Sequence, residues 1–221
     1  MNNFDIAYWI LLIAAFIVSS YYYSKRKKRF SISREQFISK YSFKEADSIF
    51  TEMHKHGFNI LSRASGGYGD YEFDHVISKS SEKEDFFIFD FVYTSKSQDK
   101  STATRQATLR SVLIKLKDRE LFTFELFPEN IFEKIKQAFG AADIDFDEYK
   151  QFSKMYVLKG DDESRIRNTF SQSLIRKLES TKSICIEARK SCLLIYNLNH
   201  GEFADYEALY KDAKSINEAL R

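Results

Sequence analysis

Three aspartates at alternate positions, Asp143-x-Asp145-x-Asp147, invite a cation-binding reading, because carboxylate oxygens suit hard ions such as calcium and magnesium. An EF-hand loop needs Gly at its sixth position and a bidentate Glu at its twelfth. Counted from Asp143, those positions hold Glu148 and Lys154, so the motif is not met. Asp143, Asp145 and Asp147, with Glu148 beside them, therefore stand as metal-ligand candidates outside any known loop. The competing expectation is an extended segment with Ile144 and Phe146 packed inward and the acids in water. No other cofactor is indicated.

The remaining chemistry-bearing residues are few. Of the four histidines, His54 and His56 are two apart near a helix end and point away from each other, unlike the i, i+4 pair of a zinc protease. His75 alternates with Phe73 and Ile77 on one strand face, the pattern of a partly buried histidine. Cys185 and Cys192 form neither a disulfide framework nor a zinc-like spacing, fit a reduced compartment, and fall in consecutive strand-like runs. Ser65-Gly66-Gly67-Tyr68-Gly69-Asp70 is a loop without the Gly-Lys-Ser/Thr of a phosphate cradle. The chain has no Gly-x-Ser-x-Gly elbow, dinucleotide fingerprint or kinase set. An enzyme without a signature stays open, and no catalytic residue is nominated.

The element that would locate all of this is at the front. Ile6–Tyr23 contains no charge, Pro or Gly. As a helix it spans about 27 Å, close to the roughly 30 Å hydrocarbon core of a bilayer. Tyr8 and Trp9 at one end and Tyr21-Tyr22-Tyr23 at the other suit the two interfaces. A cleaved signal peptide would carry its cations before the apolar run; here Lys25, Arg26, Lys27, Lys28 and Arg29 follow it. The expectation is a retained single span with its N-terminus outside and its C-terminal domain in the cytoplasm. The basic collar would set topology and attract anionic headgroups, at about 1 kcal/mol per residue near the surface.

Some 34 basic and 32 acidic residues give a formal charge of +2. Removing Lys25–Arg29 from the first and Asp5 from the second leaves 29 against 31, so residues 30–221 carry about −2. That argues against a nucleic-acid partner, which calls for a basic domain. With 21 Phe, 13 Tyr and a single Pro, the composition is that of a folded, aromatic-rich domain.

The elements follow from periodicity. Ser33-x-x-Gln36 and Ser42-x-x-Glu45 read as capping boxes, the second opening a helix that carries Ala46, Ile49, Phe50 and Met53 and stops at Gly57. Phe58–Ala64 reads as a short strand. Tyr71–Ser78, Phe86–Tyr93, Thr102–Leu116 and Leu121–Phe127 read as strands joined by polar links, which favours antiparallel pairing. Pro128 opens a helix carrying Ile131, Ile135 and Phe139. Met155–Lys159 is then a strand, Asp161-Asp162-Glu163 begin a helix reaching Leu178, Ile184–Arg189 and Cys192–Leu198 form a hairpin, and a last helix runs from about Glu202 to Leu220.

Phe124-Glu125-Leu126-Phe127-Pro128-Glu129, Asp143-Ile144-Asp145-Phe146-Asp147, Phe152-Ser153 and Tyr156-x-Leu158-x-Gly160-x-Asp162 carry a resemblance. The chain resembles a family of uncharacterised bacterial single-span membrane-anchored proteins, which also carry an aromatic strand like Phe89-Asp90-Phe91-Val92-Tyr93. The family's usual Pro-Glu before Phe-Ser is Lys150-Gln151 here. The resemblance implies a bacterial inner-membrane protein and no assigned reaction, ligand or partner.

The expected architecture is α+β: a membrane anchor with its collar over 1–29, a helix plus antiparallel-sheet block over 30–140, and a β-α-β-β-α block over 141–221. The two blocks form one domain or two. The expected function is a membrane-tethered module that docks a protein at the cytoplasmic face. The alternative is a divalent-metal-dependent ligand binder or unrecognised enzyme using residues 143–148.

Overall fold

The computed structural model describes residues 12–14, 16, 17, 20, 34–61, 70–96, 104–129, 143–181, 183–198 and 205–221. It divides into two units, Met1–Ser42 and Phe43–Arg221. In the first, residues 12–14, 16, 17 and 20 are helical, and helix is again assigned over 34–41, within which Gln36 of the Ser33-x-x-Gln36 pattern falls. Most of the expected span Ile6–Tyr23, and the whole collar Lys25–Arg29, lie outside the described residues. Among the described residues no helix is long and apolar enough to cross a membrane.

The second unit is α+β. Its strands β1 (Lys44–Glu45), β2 (Tyr71–Ser80), β3 (Glu84–Lys96), β4 (Thr104–Leu116), β5 (Phe124–Pro128), β6 (Tyr156–Gly160), β7 (Ile184–Arg189) and β8 (Cys192–Asn197) form one sheet in the order β1-β2-β3-β4-β8-β7-β5-β6. Every pairing is antiparallel. Strands from both sequence blocks interleave: β4 lies against β8, and β5 sits between β6 and β7. The helices are α1 (Phe50–His56), α2 (Lys150–Met155), α3 (Glu163–Thr169), α4 (Gln172–Ser180) and α5 (Tyr206–Ala219).

Both faces of the sheet are buried at its centre, so stretches such as Phe86–Ile88, Val112–Ile114 and Cys192–Tyr196 read as apolar runs rather than alternating ones. On one face Ile49 just before α1 and Met53 within it, with Phe58 and Ile60, pack on Phe89, Phe91, Leu109, Leu113, Leu194 and Tyr196. The residues between these face the other way and meet α2–α5. There Phe86 meets Tyr210 edge-on at 5.3 Å, and Phe124 meets Phe170 at 5.3 Å. Gly160 is required at the end of β6: a Cβ there would lie 2.7 Å from the Thr123 carbonyl and collide with Ile166 of α3. The stripe expected on the last helix, Tyr206, Leu209, Ala213, Ile216 and Leu220, is buried throughout.

Four local readings change. The second capping box does not start a helix: Ser42 is left-handed (φ 57°), and Lys44 and Glu45 instead pair with Ser78 and Ile77 as an edge strand. The helix begins eight residues later at Phe50, and ends as expected on left-handed Gly57 (φ 60°). Phe58–Leu61 is a turn running into a helical pair rather than a strand. The 161–178 helix is two: Asp162 caps α3, Phe170 leaves helical geometry, and Ser171 caps α4 through Leu174 N–H. Finally, Met155 ends helix α2 rather than starting the expected strand, which begins at Tyr156. Of the helix expected after Pro128 only Glu129, which is helical, is among the described residues.

Candidate functional site

The acidic segment adopts the inward–outward alternation. Ile144 and Phe146 are buried, while Asp143, Asp145, Asp147 and Glu148 are exposed. Ile144 N–H donates to the Leu158 carbonyl (2.8 Å), and the Asp143 carboxylate accepts from Leu158 N–H (2.9 Å). The segment thus covers the outer edge of β6, a use for a polar edge that blocks further strand pairing. Burial pushes the Asp143 carboxyl up, with the Leu158 N–H opposing. Among the described residues these acids form no three-ligand group.

One group of that kind exists among the described residues, and the sequence reading missed it. Glu52 and His56 stand one turn apart on α1, and Cys192 opens β8 beneath them; one ligand atom from each lies within 4.8 Å of the others. His56 Nε2 is 3.7 Å from Glu52 Oε2. That oxygen is buried without a hydrogen-bond partner, while Oε1 receives Lys115 Nζ at 2.6 Å. Burial lowers the His56 pKa, only partly opposed by Glu52. Burial, reinforced by the Glu52 carboxylate, pushes the Cys192 thiol up to about 11. The i, i+4 Glu-His pair was legible in sequence. Cys192 was not, because only the Lys115–Cys192 register brings it there.

His54 points elsewhere, as its spacing from His56 requires. Its Nδ1 bonds the Phe50 carbonyl (2.8 Å), its Nε2 the Tyr71 hydroxyl (2.5 Å), and its ring stacks on Phe50 at 3.8 Å. Phe50 is 53% exposed and lies 6.3 Å from Phe73, which continues through Phe91 to Tyr93. An aromatic ladder therefore runs from the core to the surface.

His75 does not share a face with Phe73. It sits at a bulge in which β2 slips against β3 between Asp74 and Ile77, in left-handed geometry (φ 53°). That turns its ring towards Asp74 (3.2 Å) and Asp90 (3.3 Å). Asp90 in turn takes a bidentate pair from Arg110 (2.8 and 2.9 Å), and the guanidinium lies 3.9 Å from the centre of the Tyr206 ring. Burial would raise the Asp90 carboxyl; hydrogen bonds from His75 and Arg110 outweigh it and hold the group below the usual carboxylate range. His200 lies outside the described residues.

On the α1 face, two glutamates are direct cross-strand partners, Glu125 on β5 and Glu187 on β7, both buried. Glu187 accepts from Asn59 N–H (2.5 Å), Ile60 N–H (3.0 Å) and the Tyr196 hydroxyl (3.0 Å). Glu125 accepts from the Asn59 amide (2.5 Å) and from Arg189, leaving Oε2 buried and unpartnered. Glu187 thereby clamps the 59–60 backbone to the sheet.

No family model matches this chain, and no curated protein or solved structure is similar to it.

Proposed function

We propose that this chain is a membrane-tethered interaction module, held by residues 6–23 in a bacterial inner membrane, with its α+β unit docking a protein on the cytoplasmic side. The observation that carries the docking part is the aromatic ladder that surfaces at Phe50, Tyr71 and Phe73. Aromatic side chains, Phe and Tyr among them, are enriched at protein interfaces. The tether draws support from the helical residues 12–14, 16 and 17, of which Leu12, Ile13, Phe16 and Ile17 are 43%, 57%, 75% and 59% exposed. Apolar side chains left in contact with water call for lipid or protein around them. The collar Lys25–Arg29 orients the tether and meets the anionic headgroups of the same membrane.

A photo-crosslinking residue at position 50, compared with one at the exposed position Arg167, tests the reading in native membranes. A discrete adduct from position 50 alone, lost when residues 6–23 are deleted, is the expected result. Equal adducts from both positions would overturn the docking surface. An unchanged adduct in the deletion, with the chain then free of the membrane fraction, would separate docking from tethering.

A further inference from the structure

Glu52, His56 and Cys192 place a carboxylate oxygen, an imidazole nitrogen and a sulfur around one point between α1 and β8. We propose that they form a site for a zinc-class divalent ion that ties the helix to the sheet. The mixed O/N/S donor set is the first reason. Calcium and magnesium sites use oxygen alone, whereas sulfur with imidazole selects borderline-soft ions such as zinc.

Geometry is the second reason. Tetrahedral zinc with bonds of about 2.0–2.3 Å separates its ligand atoms by about 3.3–3.6 Å. The His56–Glu52 separation of 3.7 Å is just above that range, and the full set, within 4.8 Å, needs to close by only about an ångström. Glu52 Oε2, buried and without a hydrogen-bond partner, is the oxygen that such an ion would take. Lys115 holds the other oxygen, so it orients the carboxylate without occupying the ligand atom.

Charge is compatible with this. Binding forms a metal–sulfur bond and releases the Cys192 thiol proton to solvent. The thiolate and the Glu52 carboxylate then neutralise a divalent ion, while Lys115 keeps its contact with Oε1. The Glu52 side chain is part-exposed, so the site lies near the surface and water can supply the fourth ligand.

The test is cobalt(II) titration of the purified full chain, followed by zinc competition. One equivalent of cobalt with a thiolate-to-metal charge-transfer band, displaced by zinc, is expected. Cys192→Ser should abolish the band and Cys185→Ser should keep it. Glu52→Gln, at a part-exposed position that leaves the fold intact by circular dichroism, should weaken binding by at least the roughly 10–100-fold that loss of an outer-shell partner costs. Absence of the band at excess cobalt would overturn the proposal, as would wild-type affinity in Glu52→Gln. So would binding that survives Cys192→Ser but is lost when Asp143, Asp145 and Asp147 all become Asn.

Discussion

The two faces of the sheet each bury an ionic cluster, and they resolve the same problem differently. On the side of α5, Asp90 and Arg110 are cross-strand partners of opposite sign, joined by two parallel hydrogen bonds and roofed by the Tyr206 ring. On the side of α1, the cross-strand partners Glu125 and Glu187 carry the same sign, which is unfavourable in a sheet. Arg189 binds Glu125 and lies 4.0 Å from Glu187, and the rest of the compensation comes from Asn59, the Ile60 backbone and Tyr196. The first cluster is thus closed within neighbouring strands and one helix end. The second depends on an irregular segment, 58–61, being present. The first should behave as a rigid pin, and the second as a latch whose strength lies in that segment.

Breaking the pin should have the largest effect. Arg110→Met removes the guanidinium that holds Asp90 bidentately and should cost about 3–5 kcal/mol, as breaking a buried ion pair does. Urea denaturation at pH 7 measures it. The sign of its pH dependence follows from Asp90. With a folded pKa below the unfolded value of about 3.9, the ionised carboxylate stabilises the fold above that pH, and the benefit is lost as pH falls through the folded pKa. The gap between wild type and Arg110→Met should therefore shrink in acid. A gap unchanged between pH 7 and pH 3 would mean that packing on Tyr206, rather than charge, is what Arg110 supplies.

Opening the latch should cost less. Glu187→Ala strands Asn59 N–H, Ile60 N–H and the Tyr196 hydroxyl, but also relieves the repulsion from Glu125, so a loss of about 1–3 kcal/mol is expected. Hydrogen exchange should report it locally, with the Asn59 and Ile60 amides losing more protection than those of β3. Uniform loss across the sheet would erase the distinction between pin and latch.

The contrast also explains what the sequence could disclose. Phe86–Tyr93, the 184–198 hairpin and the stripe from Tyr206 to Leu220 were legible because burial on one or both faces leaves a periodic trace. Asp90 and Arg110 were not, since each interrupts an apolar run and only the β3–β4 register sets them opposite each other. Ser42-x-x-Glu45 failed as a cap because pairing with β2 satisfied the backbone that a helix start would have used. The break at Phe170 was hidden for a related reason: Phe170 is core to both Phe124 and Phe152, and tertiary packing outweighed helix continuity. The acids at 143–147 drew notice by their spacing, whereas Glu52, His56 and Cys192 needed a contact across more than a hundred residues.

The smallest expected effect is also the sharpest test of the latch. Glu125→Gln keeps the side-chain shape, removes one of two facing negative charges, and can aim its NH₂ group at the position of the unpartnered Oε2 while its carbonyl still accepts from Asn59 and Arg189. The gain from relieved repulsion should nearly offset the loss of a charge-assisted bond to Arg189, leaving stability within about 1 kcal/mol of wild type. The matched change in the pin, Asp90→Asn, has no repulsion to relieve and leaves Arg110 facing a neutral amide, so it should destabilise several-fold more. If the two substitutions prove equal in urea denaturation, the like-charged pair is as closed as the oppositely charged one. Arg189 would then be serving both glutamates, and the 58–61 segment would be a cover, not the element that holds them.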